Sequence, residues 1–250
     1  MAQPQVSIIT ASFNSARHLA DCVKSVRSQT LDDWEHIIVD DGSTDTSVQL
    51  IEQLASTDSR IRVIRHETNC GPGEARNTAV AAAKGRYVAF LDADDEWLPD
   101  KLRRQVQLMR DGGWAFSYTD YAIIDDNGTA LKESVNVPDR LDYTGLLKNT
   151  AIACLTVMVD TECIKDLKMP DMPSGQDYAL WFRILRKGQV AYGINEVLAR
   201  YRIVPKSVSR NKYRAARRMW TLYRDYEGLG VVRSSWYFLN YAVNAVRKYR

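Results

Sequence analysis

The chain has 250 residues, 45% of them hydrophobic and 26% charged, which is enough apolar material for a sizeable buried core. No apolar run approaches the roughly 18 to 20 residues of a membrane-spanning helix, so any membrane contact is expected to be peripheral. The four cysteines are scattered without a C-x-x-C pair, and the start carries neither a basic region nor an apolar stretch, so free thiols in a reducing cytoplasm are expected. The net charge of +3 conceals an asymmetry: from residue 200 onward thirteen Lys and Arg face two acids, a balance of +11 that leaves −8 for the rest. An acidic body with a basic tail points to an anionic partner for the tail.

The apolar run over residues 6–10 reads as a buried strand, and Ala11-Ser-Phe-Asn14 as the loop after it. Leu19, Cys22, Val23 and Val26 then recur with the spacing of one helix face. A second strand over 36–39 ends in Asp40-Asp-Gly-Ser-Thr-Asp45, where Ser43, Thr44 and Asp45 can each cap the next helix, marked by Val48, Ile51, Leu54 and Ala55. A third strand over 61–64 leads through Asn69-Cys-Gly-Pro-Gly73 into an alanine-rich helix ending near Gly85. Strand 87–91 follows, then Asp92-Ala-Asp-Asp95, and a helix after Pro99.

Repeated strand, loop and helix units predict a parallel sheet covered on both faces, whose ligands bind beyond the carboxyl ends of the strands. Residues 12–14, 40–45 and 92–95 all fall at that edge. Past Trp114 the pattern changes: residues 118–124, a turn at Asp125-Asp-Asn-Gly128 and a return stretch suggest a hairpin. A strand over 155–159 and a helix carrying Tyr178, Trp181, Phe182 and Leu185, ended by Gly188, complete a half that looks mixed rather than doubly wound.

Asp92 and Asp94 lie one residue apart where a buried strand emerges, so their side chains share one side. Mg²⁺ or Mn²⁺ held by one or two carboxylates keeps its other positions free for water and phosphate oxygens. A solvated acidic turn is the plain alternative for an isolated D-x-D.

Taken in order, Val6-Ser-Ile-Ile-Thr-Ala-Ser-Phe-Asn14, Val39-Asp-Asp-Gly-Ser-Thr-Asp45, Asn69-x-Gly-x-Gly-x-Ala-Arg-Asn77, Phe90-Leu-Asp-Ala-Asp-Asp95 and Gly175-Gln-Asp-Tyr178 resemble the family 2 inverting glycosyltransferases of the GT-A fold. The resemblance covers about the first 210 residues. More narrowly, the tail resembles that of bacterial enzymes of surface-polysaccharide synthesis, of the teichuronic acid and O-antigen kind. It implies an α/β fold in which a single Rossmann-like nucleotide-binding sheet merges with a mixed acceptor-side subdomain. The implied domain spans 1–209, divided into a nucleotide-sugar half (1–113) and an acceptor half (114–209), with a basic, aromatic helical extension at 210–250.

Members of that family use a nucleotide-diphosphate sugar and a divalent cation. Carried onto this chain, Asp94 is the direct metal ligand, and Asp92 shares the ion through water or bonds the ribose. Ala11, Ser12 and Phe13 line the nucleoside, Asp41 bonds the base, and Arg76 lies near base or diphosphate. Asp177 is the base that takes the acceptor's proton, with helix capping as its structural alternative. Asp40 reads as structural, and Asp95 as an acid leading the helix after Pro99. The chain departs from the family at Gln176, where a Glu is common, and at residues 203–206, where many relatives carry a histidine. Lys206 or Arg202 is then expected to neutralise the diphosphate. His18, His36 and His66 show no ligand spacing and are expected to be structural or solvated.

In the tail, Tyr213, Ala216, Trp220 and Tyr223 are placed on one helical face and Arg210, Arg214, Arg217 and Arg218 on another. This suits either an anionic membrane surface or packing on the catalytic domain. The expected partners are thus a UDP-linked sugar, a lipid-linked saccharide acceptor and anionic lipid at the inner face of the membrane; no nucleic acid is expected. Rival readings are a haloacid dehalogenase-like phosphatase, whose D-x-D stands nearer the start of the fold, and a silent glycosyltransferase-like binding module. A calcium loop is disfavoured because Asp92-Ala-Asp-Asp-Glu-Trp97 lacks its turn glycine. A dinucleotide oxidoreductase is disfavoured because the first loop has no glycine.

Overall fold

In the computed structural model, which describes residues 3–204 and 212–248, the first apolar runs lie side by side as parallel strands. β1 (Val6–Ser12) pairs with β2 (Trp34–Asp41), and β2 with β3 (Ile61–His66). On its other side β1 pairs with β4 (Tyr87–Phe90). These strands read as continuous apolar runs because successive side chains enter two different cores. Ile8, Ile38 and Ala89 belong to a cluster shared with α1 (Leu19–Arg27), α2 (Ser47–Ser56) and α4 (Lys101–Gly112). Ile9, Ile37 and Phe90 belong to the other, shared with α3 (Pro72–Ala82), α5 (Tyr143–Leu147) and α6 (Gln176–Arg186). Phe90 meets Trp181 of α6 edge-on, ring centroids 5.6 Å apart.

Gly85 places β4 against β1. A Cβ there would lie 2.5 Å from the Ser7 amide nitrogen, while the Gly85 amide donates to Ser7 Oγ at 2.8 Å. Any larger residue would push apart the strand that delivers Asp92 and Asp94.

Beyond β4 the sheet becomes mixed, as expected. β9 (Met158–Asp160) runs antiparallel between β4 and β6 (Phe116–Ile124), and β7 (Ala130–Val135) returns on β6 as the hairpin's second arm. β10 (Ala191–Arg202) pairs in parallel with β6, and its far side carries the two-residue strands β5 (Glu96–Trp97) and β8 (Arg140–Leu141). The path is β3-β2-β1-β4-β9-β6-β10-β5.

Several local expectations are corrected. Residues 155–159 do not form one strand: a 3₁₀ turn over Cys154–Thr156 precedes β9, closed by Thr156 Oγ1 donating to the Ala153 carbonyl. β10 has no clean alternation in sequence because two register shifts between Ile194 and Ala199 break its period of two. Asp95 does not lead α4, whose cap position is Asp100.

The tail forms α7 (Lys212–Thr221), a π-helical turn over Leu222–Tyr226, and α8 (Val231–Lys248). Its inward face is Met219, Leu222 and Tyr223, whereas Tyr213 is 78% exposed and Trp220 borders on solvent. The anticipated stripe is therefore out of phase by about one residue, apart from Tyr223. Apolar spacing alone does not distinguish adjacent phases when arginines flank both, and the π turn changes the period again. Arg210 lies outside the described residues.

His36 is wholly buried, 2.8 Å from Thr10 Oγ1, and burial pushes its pKa down to about 3. It is a neutral core group. His18 contacts Asp126 at 2.9 Å, outside the three loops at the carboxyl edge.

Candidate active site

The carboxyl ends of β1, β2 and β4 bring together the three polar loops. Asn14, the one described non-glycine residue with positive φ (49°), ties the first two: Thr44 N donates to its Oδ1 at 2.9 Å, and its own amide donates to Ser43 Oγ at 2.9 Å. Asp40 Oδ1 accepts from the Ser43 amide at 3.0 Å and so shapes the turn. Asp45 Oδ1 accepts from Ser47 N at 2.9 Å, which makes it the side chain that caps α2 although Thr46 occupies the cap position.

Asp41 is almost fully buried. Its carboxylate accepts from the amides of Cys70 (3.0 Å) and Gly71 (2.8 Å) and contacts His66 Nδ1 at 2.8 Å; His66 in turn contacts Thr78 Oγ1 at 3.0 Å. The Asn69-Cys-Gly loop is thereby latched to the end of β2. Sequence reasoning missed this latch, although the amides after Asn69 were its signal. Phe13 is 48% exposed, with Ala11 half-buried and Ser12 Oγ buried without a hydrogen-bond partner among the described residues.

Farther along the edge, Asp92 forms an ion pair with Arg76, which α3 carries inward. Burial opposes the Arg76 charge, but Asp92, Cys154 and Asp177 outweigh it and hold its pKa above the usual arginine value. Arg76 therefore pairs with Asp92 and also feels the charge of Asp177, from the other half of the chain.

Asp94 has no ion-pair partner among the described residues, and burial followed by the charge of Asp92 pushes its pKa up to about 6. A carboxylate pair in which Asp94 is costly to ionise and lacks a cation has the donor chemistry a hard divalent ion satisfies. A tighter set of three ligand atoms, from Asp41, His66 and Cys70, exists elsewhere. Its Asp41 oxygens already accept hydrogen bonds, and its mix of donors does not suit Mg²⁺ or Mn²⁺.

Asp95 and Arg202 do not have the roles expected of them. Asp95 Oδ1 accepts from the Arg202 amide at 2.8 Å and so clamps the end of β10. The Arg202 side chain is 2% exposed, pairs with Glu96, and donates through Nε to the Asp94 carbonyl at 2.8 Å. Its donors are committed to the carboxylate loop, to Glu96 and to the Asp125 carbonyl. Lys206 lies outside the described residues.

Asp177 stands in the first turn of α6, two residues after Gly175, whose φ of 83° favours glycine. Burial raises the Asp177 pKa, while Arg76, the Tyr178 amide and Arg218 oppose the rise. Gln176 does not face this space: it is buried against Gly73, and its Nε2 donates to the Met172 carbonyl at 2.8 Å. A separate concavity lies at the opposite end of the sheet, by Trp34, Arg62 and Lys84. Its Arg62 is already paired with Glu35 at 2.9 Å.

The profile of Glycosyl transferase family 2 matches residues 7–158, and TuaG of Bacillus subtilis (strain 168), a glycosyltransferase named for teichuronic acid biosynthesis, is 46% identical over 246 residues, 98% of each chain. The chain is a family 2 glycosyltransferase. Another family 2 relative is WfgD of Escherichia coli, a UDP-Glc:alpha-D-GlcNAc-diphosphoundecaprenol beta-1,3-glucosyltransferase, 35% identical over 98% of this chain and 94% of its own. Among solved structures, S. aureus TarS 1-349 in complex with UDP-GlcNAc superposes with a TM-score of 0.71 at 18% identity, covering 94% of this chain and 70% of that one. The mannosyltransferase PcManGT from Pyrobaculum calidifontis, in complex with GDP-Man and Mn2+, gives 0.72 at 17%, covering 99% and 75%. The family 2 glycosyltransferase thus has the GT-A fold, and the phosphatase reading is set aside.

Proposed function

We propose that the enzyme transfers a sugar, with inversion, from a UDP-linked donor to a hydroxyl of a lipid-linked saccharide in the synthesis of a cell-surface polysaccharide. The observation that carries this reading is that Arg76, ion-paired with Asp92, acts electrostatically on both Asp94 and Asp177. Sugar transfer needs electrostatic support for a departing diphosphate and a base for an incoming alcohol, at opposite sides of one anomeric carbon. The similarity to TuaG, to WfgD with its UDP-Glc donor and diphosphoundecaprenol-linked acceptor, and to TarS in complex with UDP-GlcNAc supports the choice of donor and acceptor class.

Phe13 offers the nucleobase a ring face, Ala11 and Ser12 line the nucleoside, and Asp41 presents its remaining lone pair to the base edge. Asp94, with Asp92, would hold Mg²⁺ or Mn²⁺, which supplies positive charge against the leaving diphosphate. Asp92 keeps Arg76 oriented toward that end of the site. Asp177 accepts the acceptor hydroxyl's proton; an alcohol attacking an electron-deficient carbon tolerates so weak a base because proton transfer lags behind attack. The purified enzyme, given UDP-sugars, Mn²⁺ and a saccharide linked to a lipid diphosphate, should form a glycoside of inverted anomeric configuration, read by NMR. Retained configuration, or cleavage of phosphate esters without transfer, would overturn the reading.

The tail supports a peripheral attachment to anionic lipid as part of this reading. α8 packs Tyr237, Phe238 and Tyr241 inward and leaves Val232, Trp236, Leu239 and Val243, one stripe at helical spacing, more than half exposed. Within a segment of charge +11, an open apolar stripe suits the interface of an acidic bilayer. No helix among the described residues is long and apolar enough to cross a membrane. Trp236→Ser combined with Leu239→Ser should abolish flotation with anionic liposomes; equal flotation of variant and parent counts against the assignment.

A further inference from the structure

One cation of the tail acts electrostatically on the proposed base. Arg218 of α7 is half-buried and, among the described residues, forms no hydrogen bond or ion pair, although it lies in a chain rich in acids. Its stem rests on Gly175: a Cβ on that glycine would come within 3.1 Å of Arg218 Cδ and 3.2 Å of Leu222 Cδ1. The tail therefore packs directly on the residue that caps α6, two positions before Asp177.

The charges in the site are distributed accordingly. Asp94 experiences Asp92, Arg202 and Arg76, while Asp177 experiences Arg76, Arg218 and Asp92. Arg76 is common to both ends, Arg202 belongs to the carboxylate loop, and Arg218 belongs to the side where the base works. Gln176 adds no second acid beside Asp177: it is a neutral amide whose Nε2 donates inward to the Met172 carbonyl. A guanidinium held by packing, left unpaired and partly desolvated is prepared for a planar, bidentate contact with an oxyanion.

We propose that Arg218 forms an anion subsite on the acceptor side, which holds a phosphate of the acceptor so that a hydroxyl of the adjoining sugar meets Asp177. This rests on the transferase reading above and deepens it by naming the feature of the acceptor that is recognised. It also gives the tail a role in the site: the segment that places the enzyme at the lipid surface contributes the group that recognises the lipid-borne phosphate. A phosphate of the donor is the other source of the same chemistry, and the test separates the two.

The experiment uses the full chain and two ligands, a short-alkyl glycosyl diphosphate and the neutral alkyl glycoside of the same sugar, each titrated in the presence of Mn²⁺ and UDP. The parent should bind the charged ligand more tightly, and Arg218→Gln, which keeps the Cγ and Cδ that pack on Gly175, should reduce that preference roughly 10- to 100-fold. Arg218→Lys should recover part of it as a point charge. Unchanged preference in Arg218→Gln, or an equal loss for both ligands, overturns the subsite. A comparable loss in UDP affinity instead assigns Arg218 to the donor and overturns it as well. Because binding is read without turnover, the subsite can fail while transfer is observed, and failure of transfer with every acceptor condemns the functional reading separately.

Discussion

Asp177→Asn lowers the rate of sugar transfer by a factor of roughly 10² to 10⁴, the usual share of a positioned general base. Asn preserves the side chain's size and the first turn of α6, so the melting temperature should stay within a few degrees of the parent. If Asp177 served only the helix terminus, turnover would survive in Asp177→Asn as well as stability, because Asn suits helix N-termini about as well as Asp. The pH profile adds a second reading. Burial raises the Asp177 pKa, against the opposing pull of Arg76 and Arg218. The base acts when deprotonated, so activity should rise with pH along a limb centred above the ordinary carboxylate range, and Asp177→Asn should lose that limb from its residual rate. A variant retaining more than a tenth of the parent's turnover would place the base elsewhere.

Asp94→Asn should cut activity by at least 10²-fold and, without metal, make the protein more stable. The Asp94 pKa stands at about 6 in the fold against 3.8 for an ordinary aspartate. Between those values the native state binds more protons than the unfolded chain, so stability is fullest below about pH 4 and declines as pH rises through 6. Above that point the ionised carboxylate costs on the order of 3 kcal/mol, which Asn removes. In a chain of this size that corresponds to several degrees in Tm at neutral pH. Thermal denaturation across pH 4 to 8 in a chelating buffer checks it: the gap between variant and parent should widen up to about pH 6 and then level off. Adding Mn²⁺ with UDP should stabilise the parent and not the variant. A variant less stable than the parent at every pH would mean that Asp94 has a structural role.

Much of this site was legible before any coordinates. A parallel sheet gathers ligands at its carboxyl edge for topological reasons, so the loops at Asn14, Asp41 and Asp92 were bound to converge once the strands before them were recognised. Two kinds of feature stayed hidden. Arg202 looks like a free cation in sequence because its commitment to Glu96 and the Asp94 carbonyl is made across more than a hundred residues of chain. The register of α7 was ambiguous because neighbouring phases both mix aromatic and basic residues, and only the glycine it lands on, Gly175, reveals which arginine faces inward. β10 escaped because its bulges erase the alternation by which a strand is recognised. In each case the deciding information was a partner distant in sequence, which local periodicity does not carry.

The central claim is that the aspartate pair following β4 holds the ion that faces the nucleotide's diphosphate. Crystals grown with Mn²⁺ and UDP, measured at the manganese absorption edge, locate that ion directly. The anomalous peak should lie within roughly 2.3 Å of an Asp94 carboxylate oxygen and of a diphosphate oxygen. A peak at Asp41, His66 and Cys70, or a diphosphate bound away from Asp92 and Asp94, would contradict it.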